Sequence, residues 1–167
     1  MWRHRVLACA LVTGMLPGRA GAQTPIVFGF LEGATRVYVQ RAVEGAAVRL
    51  GRPACQDLLT DFSDASGQPL STTLASSGRT PAGALAQLRF IEDRDAPQCL
   101  AGVTLAFTQI GSRVIRVCGR QFKDRFLGNR RITEFIMIHE FLHTLGLGEN
   151  PPTSEAITKQ VEFRCGV

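Results

Sequence analysis

Residues 129–146 read NRRITEFIMIHEFLHTLG. Ile132, Phe135, Ile136, Leu142 and Leu145 recur at helical spacing, and Gly146 stops the pattern, so the stretch predicts one helix from Asn129 to Gly146. Inside this apolar run sit His139, Glu140 and His143. Polar groups of this kind are costly to bury without partners. Residues four apart on a helix share a face, so both imidazoles can aim at one point, as a tetrahedral zinc ion requires of two ligands. Glu140 is displaced from that face, yet its carboxylate can reach a water at the metal without being a ligand. A zinc ion there would lower the pKa of that water to about 7 and polarise a carbonyl, with Glu140 taking and returning the proton. The competing reading is a pair of solvated helix residues, or a core histidine bonded to backbone.

The ends and the composition bound the rest. Residues 1–22 carry Arg3 and Arg5, an apolar run Val6–Leu16, and a small-residue end Ala20-Gly21-Ala22. That order predicts a cleavable secretory signal cut after Ala22, and a secreted or periplasmic chain. No other run is long enough to predict an integral membrane segment. Loss of Arg3, Arg5 and Arg19 leaves 16 basic against 14 acidic residues, so the net charge falls from +5 to +2. No basic block interleaved with aromatics occurs, which argues against a nucleic-acid partner. Residues 23–167 are expected to form a single catalytic domain. Cys9 leaves with the signal, and the remaining Cys55, Cys99, Cys118 and Cys165 predict two disulfides. Of the three connectivities, Cys55–Cys99 with Cys118–Cys165 is the expected one, because it would pin the C-terminal segment near the site.

Strands are expected at Ile26–Leu31, Asp57–Phe62, Leu88–Ile91, Val103–Thr108 and Arg113–Cys118, the last two joined by a hairpin through Gly111. Helices are expected at Ala34–Leu50, at Pro81–Leu88 behind a Thr80 cap, and from Thr153 or Ser154 to Arg164. Helices before, inside and after a small mixed sheet predict an α+β fold.

Catalytic zinc usually takes three protein ligands, and no third histidine survives, since His4 lies in the signal. Three glutamates follow the motif: Glu149, Glu155 and Glu162. The eleven residues HEFLHTLGLGE, His139–Glu149, resemble the metzincin zinc proteases, whose pattern is H-E-x-x-H-x-x-G-x-x-H. The resemblance implies a zincin-like fold around the helix, His139, His143 and Glu149 as zinc ligands, and Glu140 as general base. Glutamate replaces the family's His or Asp at the third position, and no methionine follows Met137 to make a Met-turn. Gly146 and Gly148 give the backbone freedom to fold Glu149 back toward the helix. The longer string HTLGLGENPPTS also resembles a group of small secreted bacterial proteins of unassigned function. In the thermolysin-like group the third ligand is a glutamate on a later helix; Glu162, 19 residues after His143, matches that placement. Glu155 would suit a helix first turn.

Weaker candidates are Tyr38 or Arg116 as an oxyanion donor, Ser112–Val117 as an edge strand for an extended peptide, and the Asp61 and Asp64 pair, whose setting suits a turn. The expectation is a secreted zinc metallopeptidase acting on peptide or protein substrates. A zinc hydrolase of non-peptide amides or esters, and a non-catalytic zinc-binding module closed by both Glu149 and Glu162, are the alternatives.

Overall fold

The computed structural model describes residues 26–31 and 33–166; the signal segment expected at 1–22 lies outside the described residues. In chain order its elements are β1 (Val27–Phe28), α1 (Gly33–Leu50), α2 (Pro53–Gln56), α3 (Leu58–Asp61), α4 (Leu70–Ser76) and α5 (Pro81–Ala86). There follow β2 (Arg89–Glu92), α6 (Pro97–Leu100), β3 (Ala106–Thr108), β4 (Val114–Val117), α7 (Gly119–Gly128), α8 (Arg130–Thr144) and α9 (Ser154–Cys165). The fold is mixed α+β, as expected, and rich in helix.

The four strands form one sheet of order β1-β2-β4-β3. β1, β2 and β4 run parallel, with Phe90 opposite Ile115, and β3 closes the far edge antiparallel to β4. Phe90, Ile115 and Val117 turn to the core on alternating positions, as a pleated strand dictates. Ser112–Val117 therefore lies inside the sheet and not at its edge; the edge beside the helices is β3. The hairpin between them turns where expected, with Gly111 at φ +74°.

On α1, Val39, Ala42, Val43, Ala46 and Leu50 make a fully buried stripe, while Val37 is exposed. This stripe meets α8, which is buried on nearly every side from Thr133 to His143. Glu134 of α8 sits between Arg49 (2.7 Å) and Arg130 (2.9 Å). Gly45 makes this approach possible, because a Cβ there would run into the Glu134 carboxylate. Replacing Glu134 would leave the largely buried Arg49 without its carboxylate, at a cost of about 3–5 kcal/mol.

Two further expectations change. Asp57–Phe62 is helical at α3 rather than a strand: the backbone amides of Asp61 and Phe62 bond to the carbonyls four residues earlier. Its buried Leu58 and Leu59 are adjacent, which neither period fixes in so short a run. Helix α7, between β4 and α8, and the short helices α2, α4 and α6 carry no expectation from the sequence.

The disulfides also pair differently, as Cys55–Cys165 and Cys99–Cys118. The parallel pairing of β2 with β4 explains the second. Both strands end at the same rim, so α6, which follows β2, brings Cys99 to Cys118 at the end of β4. Cys165 ends α9, which packs on α2 and so reaches Cys55. The C-terminal segment is pinned, but to α2.

Candidate metal centre

Helix α8 is capped by Asn129, whose side chain accepts a hydrogen bond from the Arg131 amide at 3.2 Å, and ends in a turn that folds the chain back. The Gly146 amide donates to the His143 carbonyl (3.0 Å) and the Leu147 amide to Leu142 (3.2 Å). Gly146 takes φ +109°, a backbone region that side chains rarely adopt. Leu147 is then buried and bridges to Asp64, and the returning chain sets Glu149 over the helix.

His139 and His143 are almost fully buried, and their Nε2 atoms lie 3.0 Å apart. Glu149 Oε1 stands 3.2 Å from His143 Nε2 and 3.6 Å from His139 Nε2. Donors 2.0–2.1 Å from a tetrahedral zinc ion would be about 3.3 Å apart. The three donor atoms thus match one coordination face, and the His, His, carboxylate set fits zinc chemically. Burial first, and then the neighbouring His143, hold the His139 pKa down to about 4 against the opposing pull of Glu149. His139 is therefore neutral at pH 7, the form in which imidazole binds a metal.

Each imidazole has an outer partner on Nδ1. His143 Nδ1 lies 2.8 Å from the Leu147 carbonyl oxygen, and His139 Nδ1 lies 3.0 Å from the Thr158 hydroxyl on α9. Glu140 is also buried. Burial first, then the negative charge of Glu149, push its carboxyl up to about 8, opposed by a hydrogen bond from the backbone of Thr108. That amide points away from β4, at the outer side of the edge strand. The Cys118 amide bonds to Leu105, so Leu105 and Phe107 turn their backbone polar groups to β4, and Ala106 and Thr108 turn theirs outward. The carboxyl group of Glu140 therefore lies between α8 and the outer edge of β3, where it takes the Thr108 amide.

Of the three glutamates weighed for the third ligand, the structure brings Glu149 to the histidines. Glu155 is exposed and paired with Lys159 at 2.7 Å, and Glu162 is exposed on α9 outside the cluster. Tyr38 packs against Phe126, and Arg116 pairs with Asp93 at 2.7 Å. Asp64 organises a turn by accepting from the Ser66 and Gln68 amides, as expected. Asp61 instead binds Arg164 of α9 at 2.7 Å. A surface cavity of about 1030 Å³, lined by Thr35, Glu92, Arg94, Arg120 and Lys123 among others, includes none of the cluster residues. Convergent donors, and not cavity size, mark this site. Sequence reasoning missed Thr158, the Leu147 carbonyl and the Thr108 amide; backbone groups leave no residue signature, and a helical threonine carries none.

Comparison with known proteins found no matching family model, no similar curated protein and no similar solved structure.

Proposed function

We propose that the protein is a secreted or periplasmic zinc metallopeptidase, with His139, His143 and Glu149 as metal ligands and Glu140 as general base. The observation that carries this reading is the joint placement of three convergent donors and a buried fourth group, Glu140, beside the edge strand β3. Three protein donors are the count of a catalytic zinc site, which keeps a position for water or substrate, whereas a structural site is closed by four. When bound, zinc supplies Lewis acidity toward a carbonyl oxygen and lowers the pKa of a water in the open position.

The chain's own groups do the rest. Glu140 accepts a proton at its carboxylate and returns it to the leaving amine; its burial beside the three donors places that carboxylate within the site. The edge of β3 beside Glu140 is where an extended peptide would pair, through outward polar groups other than the Thr108 amide that Glu140 holds. This feature favours peptides over small amides or esters, which bring no strand. Glu149, with about two-fifths of its side chain exposed (39%), leaves the centre open to solvent on one side.

The test is hydrolysis of a diverse peptide library by the zinc-loaded protein. Glu140→Gln is expected to lower kcat/KM by about 10²–10⁴-fold, the usual contribution of a general base. Cleavage that survives this substitution unchanged would exclude the mechanism.

A further inference from the structure

We propose that Thr158 is a positioning residue for the metal centre, its hydroxyl fixing the ring of His139 so that Nε2 faces the point where His143 and Glu149 converge. The inference rests on the metal-centre reading above and extends it to the C-terminal helix.

The two histidines are oriented by different means. His143 is held by its own loop. The Leu147 carbonyl can only accept, so His143 carries its proton on Nδ1 and leaves Nε2 bare for a metal. That partner arrives with the Gly146 turn and needs no other element. His139 has no such local partner in the hydrogen-bond pattern; its Nδ1 meets Thr158 Oγ1 at 3.0 Å, a side chain from α9. A hydroxyl both donates and accepts, so Thr158 can take the Nδ1 proton that a metal-bound His139 must present. Threonine in a helix is confined to two χ1 rotamers, which limits how far this hydroxyl can wander.

The helix carrying it is anchored independently. Ile157 and Val161 are fully buried on either side of Thr158. Arg164 and Gln160 both bind Asp61, each at 2.7 Å, and Cys165 is tied to Cys55. Helix α9 thus reaches the centre, though not through Glu162. Thr158, one turn earlier, makes the contact, and it holds a ligand instead of being one. The site is assembled from two helices and a loop, and the orientation of His139 depends on the docking of α9.

The test compares Thr158→Val, nearly isosteric but without the hydroxyl, with Thr158→Ser, which keeps it. Zinc affinity is measured by chelator competition below the melting temperature of each variant. Long-range proton–nitrogen spectra of the imidazoles report the tautomer of His139. The expected result is zinc binding about 10–100-fold weaker in the valine variant, as for loss of an outer partner of a metal-bound histidine. The serine variant should stay close to wild type, and the His139 Nδ1 proton signal should be lost only with valine. Wild-type affinity in Thr158→Val would overturn the positioning role while leaving the metal centre standing. Equal weakening by serine and valine would assign the effect to general disturbance of the packing around position 158 and overturn it as well. A wild-type chain that binds no zinc would overturn both readings.

Discussion

Glu140 and His139 pull the stability of the metal-free protein in opposite directions with pH. Glu140 keeps its proton in the fold up to about pH 8, against 4.5 for the ordinary carboxyl. Between those values the folded state alone retains the proton, so stability falls as pH rises. His139 titrates near 4 in the fold against 6.5 ordinarily, so between those values only the unfolded state is protonated and stability rises with pH. The two slopes oppose each other from pH 4.5 to 6.5, and only the loss remains from 6.5 to 8. Urea titrations in the presence of a chelator should therefore show a midpoint that changes little up to pH 6.5 and then declines. Glu140→Gln should abolish the decline, and so should zinc, whose charge favours the ionised carboxylate. A decline that persists in Glu140→Gln would rule out Glu140 as its source. At this scale much of the site was legible. His139, Glu140 and His143 declare themselves because polar residues are costly to bury inside an apolar helix and their spacing is that of a metal-binding pattern. Thr108 and Leu147 act through backbone atoms that any residue would supply, so their part could not be read.

Among the elements, α8 was readable because its apolar pattern is long and its stop is a glycine. The turn after it is where sequence and geometry agree most closely: Gly146 adopts φ +109°, and a Cβ there would stand 3.1 Å from Asp64 Cβ. Gly146→Ala should cost about 1–3 kcal/mol of stability from backbone strain. It should also weaken zinc binding, because the turn sets both the Leu147 carbonyl and Glu149. Thermal melts with and without zinc separate the two effects, and an alanine variant of unchanged stability and affinity would show that the turn does not need the glycine. Helix α9 was placed correctly by its Thr153 cap, whose hydroxyl accepts from the Ala156 amide at 3.2 Å. Its contact with the centre was sought in a glutamate, since ligands are charged and threonines common. Segment 57–62 was misread because four helical residues carry too little period to tell a helix from a strand.

For the whole molecule, the two disulfides close loops of very different length, with sequence separations of 110 for Cys55–Cys165 and 19 for Cys99–Cys118. Chain-entropy reasoning gives upper contributions of about 5 and about 3 kcal/mol. Replacing Cys55 and Cys165 together by serine should thus lower the melting temperature more than replacing Cys99 and Cys118. The longer-range pair should also loosen α9 and, through Thr158, lower zinc affinity; the reverse order of melting temperatures would contradict the loop-length account. The pairing itself was not legible in the sequence, because it follows from β2 and β4 being parallel neighbours, a topological fact that no cysteine spacing encodes. The central claim, a metal centre of His139, His143 and Glu149 served by Glu140, is tested most directly by zinc stoichiometry and affinity of the purified chain beside three variants. About one zinc ion per chain is predicted, kept in Glu140→Ala and Glu162→Ala, and weakened in Glu149→Ala by more than the about 10–100-fold that an outer partner contributes. A reconstituted wild-type chain that binds no zinc, or a Glu149→Ala variant that binds it normally while Glu162→Ala does not, would contradict it.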